Sequence, residues 1–365
     1  METRDTLRTT PLTGWHRARG AKLAPFAGFE MPIQYEAGIL AEHAWTRTKA
    51  SAFDICHMGE FFLTGENARR ELDRLVTQDL STLAPGKCRY GFLLNEAGGV
   101  LDDLIVYCLA ADEYMLVVNG SREASDFAWI SERIAAGPSF ENRSEATAKI
   151  DVQGPLSLQA LSAALGPGLG RLAYFNFLRT TLEGVPILVS RTGYTGELGY
   201  ELYLPAERAL WLWDRLLAQG SVRPAGLGAR DTMRLELGYT LYGQDLDENH
   251  TPIEAGYGHL LTKQSEFIGR SRLAHARERL VGLAIPGRRS ARCHDPVFLP
   301  SGEPAGTITS GSFAPSLGHC VALAYVQADL AEHDRFLVRA ARVELEARRA
   351  DPPFYRQGTA RVKTA

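Results

Sequence analysis

The pattern of this 365-residue chain changes near residue 279, and that change limits the available folds more than any other feature does. Before it, short β-rich runs alternate with amphipathic stretches. After it, strand-like runs follow one another, separated by glycine, proline and serine. Such an order indicates an α+β region followed by an all-β domain. We therefore predict an α+β region over residues 1–279 and a barrel-like domain over residues 280–365.

The α+β region contains two rounds of strand and helix, which suggest two related lobes although no sequence repeat marks them. In the first round, apolar spacing predicts a helix over 66–77, strands over 90–94, 101–109 and 114–119, and a helix capped by Ser121. In the second, it predicts strands over 147–152, 185–191 and 199–204 and helices over 156–165 and 207–219. The barrel-like domain has predicted strands at 280–285, 296–299, 306–310, 320–326 and 336–338.

Composition excludes several classes of protein. A net charge of −3 gives no general field for nucleic acid. The N-terminus lacks the apolar segment of a secretory signal, and no apolar run reaches the roughly 20 residues of a membrane helix. Five scattered cysteines and nine scattered histidines form no disulfide or metal-site spacing, and the adjacent Cys56 and His57 are a chance pair. These features predict a soluble, cytoplasmic protein with no metal, nucleic-acid or membrane partner.

Two adjacent aspartates interrupt the apolar run of residues 98–107. In an extended strand Asp102 shares a face with Leu104, and Asp103 shares the other face with Ile105. At least one carboxylate then points towards buried surface, where it needs a hydrogen-bonding partner. One interpretation is a functional carboxylate, and the other is that both aspartates cap the preceding Gly-Gly turn.

A glycine-rich stretch, residues 193–202, leads into a β-rich run that begins near Glu201. Three glycines at this spacing suggest a bent backbone. No helix follows directly, so the stretch is not a dinucleotide-binding motif. A hairpin turn with an exposed Glu201 is the competing interpretation.

Residues 226–236 place two glycines just before a run of charges that includes Arg230, Asp231 and Arg234. Asp231 and Arg234 are spaced for a surface pair on a helix. The glycines, however, indicate a helix N-terminus, where a cation such as Arg230 is unfavourable unless an anion or polar ligand compensates it. A surface pair and a ligand site both remain open.

Taken together, these segments resemble the aminomethyltransferases, the T-proteins of the glycine cleavage system, over essentially the whole chain. The matching stretches are residues 10–12, 53–58, 98–107, 193–201, 226–231, 309–311 and 316–318. The resemblance implies a three-lobed, cloverleaf-like arrangement around a central folate channel. It also implies transfer of a methylene group from an aminomethyl-lipoyl carrier, the H-protein, to tetrahydrofolate, with release of ammonia.

Carried over residue by residue, the resemblance implies that Asp102 is the catalytic carboxylate, that Glu201 binds the pterin and that Arg230 is its partner. The other residues that it implies for the folate site are Tyr90, Asn119, Tyr174, Tyr194, Tyr239 and Met58. Cys56, Gly91 and Gly120 stand where the family usually has other residues, beside the ligand positions. The family's C-terminal aromatic has only a weak match, Tyr355.

These residue types suit the implied chemistry. A carboxylate can accept the N–H edge of a pterin, tyrosines offer flat faces to its rings, and a fixed carboxylate stabilises positive charge at the reacting atoms. The assignment predicts that Asp102→Asn loses most turnover and that Asp103→Asn mainly affects stability.

Two alternatives have different chemistry. A folate-dependent demethylase of the same fold would keep the pterin residues. A non-catalytic folate-binding factor would carry a cysteine-containing segment where residues 241–244 have none. An amine dehydrogenase would need a flavin domain for which the chain is too short.

Overall fold

A computed structural model gives the fold and describes residues 7–218, 220–274, 276–341 and 343–364. The α-helices of this part are α1 Thr13–Ala18, α2 Ile39–Thr48, α3 Ala68–Asp73, α4 Glu123–Arg133, α5 Ser157–Leu165, α6 Ala209–Leu217 and α7 Leu227–Glu236. The strands before the barrel are β1 Lys22–Phe26, β2 Phe29–Gln34, β3 Ala50–Asp54, β4 Gly59–Thr64, β5 Lys87–Leu94, β6 Val100–Ala110, β7 Glu113–Val118, β8 Ser139–Asn142, β9 Thr147–Gln153, β10 Phe177–Leu182, β11 Val185–Ser190, β12 Gly199–Pro205 and β13 Val222–Pro224. The barrel strands are β14 Glu278–Ile285, β15 Pro296–Phe298, β16 Pro304–Ala314, β17 His319–Gln327, β18 Arg335–Ala340 and β19 Val343–Arg349.

The first lobe is a five-stranded antiparallel sheet in the order β5-β6-β7-β4-β8. Alternate residues of its strands, such as Leu104 and Val106 of β6, pack in one core with Leu72 of α3 and Ile130 of α4. The helices therefore cover one face of this sheet, and the other face is left for a different partner.

The second lobe is a six-stranded sheet in the order β10-β11-β12-β9-β3-β13. Its strands pair antiparallel except for β13 and β3, which are parallel. Val152 of β9 and Leu202 of β12 share a core with Leu161 of α5 and Trp213 of α6. Here too the helices cover one face only.

The uncovered faces of the two sheets pack against each other. Tyr107 and Val117 from the first sheet share an apolar cluster with Leu188 and Tyr203 from the second. The hydroxyls of Tyr107 and Tyr203 are hydrogen-bonded across the interface at 3.0 Å. Alternate residues of β6, β9 and β12 therefore point into the space between the two lobes.

The third unit is a closed barrel in the order β14-β17-β16-β15-β18-β19, with its own apolar core. Buried Arg234 of α7 joins the barrel to the second lobe, because it donates to Asp245 at 2.8 Å and to Ser310 of β16 at 3.0 Å. Asp231 forms the expected pair with Arg234, at 2.9 Å. Asp231 is half exposed but Arg234 is buried. The surface-pair interpretation is therefore correct for Asp231 and not for Arg234.

The α+β class with a C-terminal barrel is confirmed, while several local predictions need correction. The helix predicted over 66–77 ends at Asp73, because the N–H of Thr77 binds the carbonyl of Phe92 and joins the sheet instead. Ser121 does not cap α4, whose N-cap residue is Arg122. The sequence prediction missed the elements before residue 55 and the strands β4, β8, β10, β13 and β19. Residue 219, the last of one predicted helix, lies outside the described residues.

No helix in the described part of the chain is both long enough and apolar enough to cross a membrane.

Candidate active site

The alternation of side chains along β6 separates the two adjacent aspartates. Asp102 points to the side of Leu104 and Val106, which is covered by helices, and it is fully buried. Asp103 points to the side of Ile105 and Tyr107, which faces the second lobe. The sequence predicted this division between opposite faces, and the structure determines which face each carboxylate reaches.

Asp103 lies in a small polar cluster on the inner side of the first sheet. Its carboxylate accepts hydrogen bonds from the Tyr90 hydroxyl at 3.0 Å and from Asn119 Nδ2 at 2.9 Å. The ring of Tyr257 lies 5.9 Å from that of Tyr90. Burial, with the neighbouring Asp102, raises the pKa of Asp103 to about 7. We call Tyr90, Asp103 and Asn119 the first inner face.

Asp102, to which the sequence assigned catalysis, does not reach the space between the lobes. Its two oxygens accept from the backbone N–H of Asn119 at 2.9 Å and from Asn119 Nδ2 at 2.8 Å. Its carboxyl also interacts with that of Asp126 on α4. Burial and Asp126 raise the pKa of Asp102 well above its usual range, which favours a neutral acid. The geometry therefore favours Asp103 as the carboxylate available to a ligand.

Charged residues on β9 and β12 line the inner side of the second sheet, and Lys149, Asp151 and Glu201 form what we call the second inner face. Glu201 is buried, which answers the alternative of an exposed side chain in a hairpin. Its Oε1 lies 3.3 Å from Lys149 Nζ. Its Oε2 accepts from Thr192 at 2.9 Å and from Tyr203 at 3.0 Å.

Electrostatic pairing keeps this buried carboxylate ionised. Burial opposes ionisation of Glu201, but the cations of Lys149 and Arg230 outweigh burial and lower its pKa. Lys149 also donates to the thioether of Met58 at 3.1 Å, which brings that predicted residue to the same face. His57 lies near both cations, and burial together with them lowers its pKa to about 3, so its imidazole is neutral.

The glycines of residues 193–202 allow the chain to pass close to Gln153 of β9. A Cβ at Gly193 or Gly199 would come within 2.2 Å or 2.1 Å of the Gln153 side-chain oxygen. Real Cβ atoms do not approach that closely, so a larger residue would displace the Gln153 side chain, which donates to Asp151 and to the carbonyl of Thr192. Glu201 lies opposite Asp151 in the antiparallel pairing of β12 with β9.

Helix α7 brings Arg230 to the second inner face. The helix begins after Gly226, whose N–H donates to the buried Glu42 carboxylate at 2.8 Å, as the glycines predicted. Arg230 forms a close ion pair with Asp151. Its guanidinium also lies 5.1 Å from the ring centroid of Tyr194. A cation in the first turn of a helix requires a compensating anion. For Arg230 this anion is the buried Asp151 of the neighbouring sheet.

Three tyrosines extend outward from Arg230. The rings of Tyr194 and Tyr239 stack with centroids 5.8 Å apart, and Tyr239 in turn interacts with Tyr174 through its hydroxyl. All three are partly exposed. We call Tyr194, Tyr239 and Tyr174 the aromatic row. It offers flat apolar faces that lead from the charged interior towards solvent.

Every predicted site residue except Asp102 belongs to the first inner face, contacts the second inner face or lies in the aromatic row. Electrostatic interactions of Tyr194 with Tyr90 and with Asp103 connect the aromatic row to the first inner face. Sequence reasoning missed Lys149, Asp151 and Tyr257. A signal was present for the first two, because they alternate with Ala148 and Ile150 in a strand, where charged residues are disfavoured. Tyr257 lies in an irregular segment and had no such signal.

Comparison with known proteins agrees with this architecture. The GCVT N-terminal domain family model matches residues 12–265, and the glycine cleavage T-protein C-terminal barrel domain model matches residues 278–356. The chain belongs to the glycine cleavage T-protein family. The T-protein models end at residue 356, so the last residues of this chain lie beyond them.

Individual members of the T-protein family are similar over nearly their full length. The Rubrobacter xylanophilus aminomethyltransferase is 43% identical, over 97% of this chain and 96% of that protein. The Thermotoga maritima aminomethyltransferase is 42% identical, over 96% and 98%. The crystal structure of glycine cleavage system aminomethyltransferase T from Bartonella henselae matches with a TM-score of 0.91 and 32% identity, over 97% of this chain and 99% of that chain.

Proposed function

We propose that this protein is the aminomethyltransferase of a glycine cleavage system. It transfers the methylene of a lipoyl-bound aminomethyl group to tetrahydrofolate, with release of ammonia. The observation that carries the proposal is that two carboxylates lie on the facing sides of the two sheets, Asp103 on the side of Tyr107 and Glu201 within reach of the Tyr107 hydroxyl at 3.4 Å. One, Glu201, is held ionised by cations, and the other, Asp103, has a pKa of about 7.

The second inner face suits the pterin of tetrahydrofolate. Glu201 Oε2 accepts from hydroxyl donors, whereas Oε1 lies 3.3 Å from Lys149 Nζ and can accept an N–H of the pterin edge. Arg230 contributes donors for the pterin oxygen from beside Asp151. The rings then lie against the aromatic row, which provides apolar faces. This donor set fits the folate co-substrate.

Asp103 carries the chemistry in this proposal. Tetrahydrofolate supplies the two nitrogens that form bonds to the methylene carbon, while the carbon–nitrogen bond to the leaving ammonia and the carbon–sulfur bond to the carrier both break. The Asp103 carboxylate stabilises the positive charge that develops at these atoms, and Tyr90 and Asn119 fix its orientation. With a pKa of about 7, Asp103 also accepts a proton from the attacking amine near neutral pH.

The proposal includes two further points about the setting of the enzyme. The aminomethyl group arrives on the lipoyl arm of a carrier protein, the H-protein of the system. The cytoplasm is the proposed location, and it is supported by five cysteines that all remain free thiols, as in a reducing compartment.

A substrate comparison tests the function. We expect purified protein to release ammonia from aminomethylated carrier protein only when tetrahydrofolate is added, with stoichiometric methylenetetrahydrofolate. The control substrates are N-methylated small amines with the same folate. Turnover of the amines without turnover of the carrier would replace the proposal with a demethylase. Folate binding without turnover of either would indicate a non-catalytic factor.

A further inference from the structure

Glu60 of β4 is a buried acid that has no part in the proposed mechanism. Side chains alternate along this strand, and Phe61 and Leu63 pack in the helix-covered core of the first lobe. Glu60 therefore points the other way, together with Met58 and Phe62, which belong to the apolar cluster between the two sheets. Glu60 is 1% exposed. It thus lies on the side of the first sheet that faces the second lobe.

The Glu60 carboxyl group lacks the partners that a buried acid requires. Its Oε1 is closed off from solvent and accepts no hydrogen bond within the described part of the chain. Burial raises the pKa of Glu60 well above its usual range, and Lys149 is the main influence in the opposite direction. A buried polar atom without a partner destabilises a fold. Such an oxygen is useful only if it gains a partner in another state of the protein.

Lys149 is the cation that can become this partner. Its Nζ lies 3.3 Å from Glu201 Oε1 and 3.1 Å from the sulfur of Met58. Met58 precedes Glu60 by two residues and points to the same side. A thioether is a weak acceptor, and the lysine side chain is a flexible stem with rotatable donors. Rotation about its own bonds can therefore exchange this sulfur for an oxygen of Glu60.

A bound folate would give Lys149 a reason to move. In the proposed function a pterin N–H is donated to Glu201 Oε1, which is the oxygen that Lys149 now approaches. Two donors then compete for one oxygen, and the ammonium is the donor on a flexible stem. A buried ammonium that moves away from its carboxylate needs another acceptor. Glu60 Oε1 is free to accept, whether the carboxyl group is protonated or ionised.

We propose that Glu60 is a positioning residue that accepts the Lys149 ammonium when a pterin occupies Glu201. It thereby lets the folate bind without leaving a buried cation unpaired. This inference rests on the proposed function, because pterin binding at Glu201 is what displaces the lysine. Glu60 contacts neither the folate nor the reacting atoms, so folate binding depends on it only through Lys149.

A double-mutant cycle in the full-length enzyme tests this dependence by calorimetric titration with tetrahydrofolate. Glu60→Met keeps a similar volume and removes both oxygens. It should raise the Kd for tetrahydrofolate by about 3- to 10-fold, as expected for the loss of one hydrogen bond. In a Lys149→Met background the same change should leave the Kd within about 2-fold, because the group through which Glu60 acts is absent.

Thermal unfolding separates this role from a purely structural one. Because Oε1 has no partner in the free protein, Glu60→Met should leave the melting temperature equal or higher even though it weakens folate binding. The matched control is Tyr200→Phe, which removes another buried oxygen without a partner, on the helix-covered side of the second sheet. That variant should keep the Kd for tetrahydrofolate unchanged.

A second variant, Glu60→Gln, applies if Glu60→Met does not fold. It keeps one acceptor oxygen, so the rise in Kd should be smaller and should again be absent without the Lys149 ammonium. An unchanged Kd in the variant that folds overturns the inference, because Lys149 then needs no second acceptor. An equal rise with and without Lys149 also overturns it, because Glu60 then acts by another route. If the unaltered enzyme does not bind tetrahydrofolate, the proposed function has failed first, and that result precedes any variant.

Discussion

The two inner faces differ in whether a cation lies beside their carboxylates. On the second inner face, the Glu201 carboxylate has Lys149 at 3.3 Å, and Asp151 is paired with Arg230. On the first, Asp103 has only neutral donors, the Tyr90 hydroxyl and the Asn119 amide. Lys149 and Arg230 lower the pKa of Glu201 despite its burial, and Arg230 opposes the effect of burial on Asp151, whose pKa is about 6. Asp103 has no such cation among its causes, and burial with Asp102 raises its pKa to about 7.

The residues behind the first inner face strengthen this contrast. Asp102 and Asp126 lie on the helix-covered side, where Arg122 Nε is 3.7 Å from the Asp126 carboxylate. Burial raises the pKa of Asp126 to about 7. Three carboxyl groups therefore lie close together here, and interaction with Asp102 adds to the effect of burial on the pKa of Asp103. Under the proposed function, this difference assigns binding of the ligand to the second inner face and proton exchange or charge stabilisation to the first.

The largest effect should come from neutralising the first inner face. Asp103→Asn keeps the shape and the partners of the side chain but removes its charge. We expect kcat to fall by about 100- to 1000-fold, because a preorganised charge at the reacting atoms is lost. The KM for tetrahydrofolate should stay within about 10-fold, since the pterin contacts lie on the other lobe. Steady-state kinetics with aminomethylated carrier protein measures both quantities.

Asp102→Asn is the matched control, and its expected effect reverses the one that sequence reasoning alone suggested. In the unaltered protein the backbone N–H and the side-chain amide of Asn119 donate to the two oxygens of Asp102. The new side-chain amide would place an N–H group against one of these donors. We expect a loss of about 1–3 kcal/mol in unfolding free energy and a kcat within about 10-fold of the unaltered enzyme. A larger loss of kcat in Asp102→Asn than in Asp103→Asn would return the catalytic role to Asp102.

The difference between these aspartates shows how far sequence reasoning reaches. Successive side chains of a strand point to opposite faces of the sheet, so Asp102 and Asp103 were predicted to lie on opposite faces, and the structure has them there. Which side is covered by helices and which by the other sheet depends on how the lobes pack. Tyr107 contacts Tyr203, which lies 96 positions later in the chain, and no local pattern contains that contact.

The same limit explains what else was missed in the fold. Strand β3 lies between β9 and β13 in the second sheet, although about 90 residues of the first lobe separate β3 from β9. Strand β19, in contrast, alternates buried Leu345 and Ala347 with exposed Glu344 and Glu346, and this local pattern could have been recognised. Local periodicity predicted about half of the elements of the lobes, whereas their order within each sheet depended on contacts distant in sequence.

An intermediate effect should come from the second inner face. Glu201→Gln removes the negative charge that interacts with Lys149 and, in the proposed function, with the pterin edge. We expect the Kd for tetrahydrofolate to rise by about 10- to 100-fold, because hydrogen bonds to a charged group contribute about 1.5–3 kcal/mol. Calorimetric titration at fixed pH measures the change, and kcat at saturating folate should fall much less than in Asp103→Asn.

A buried glutamate far from the site provides the control for this loss. Glu254 is 1% exposed and accepts from Thr251 and from Arg277, beside the barrel. Glu254→Gln should lower stability without altering the Kd for tetrahydrofolate. If Glu201→Gln binds folate as tightly as Glu254→Gln does, the second inner face does not hold the pterin.

The smallest effect concerns a single hydroxyl on the first inner face. Tyr90→Phe removes one of the hydrogen bonds that favour the ionised form of Asp103, so the pKa of Asp103 should rise from about 7. Because the ionised carboxylate is the active form, kcat/KM falls as the pH drops through this pKa. In the variant that acidic limb should shift to higher pH by less than about one unit. Tyr257→Phe is the control, since its hydroxyl bonds Thr240 and not a carboxylate. A limb that stays in place in Tyr90→Phe, or that moves equally in Tyr257→Phe, would mean that the group titrating in the profile is not Asp103.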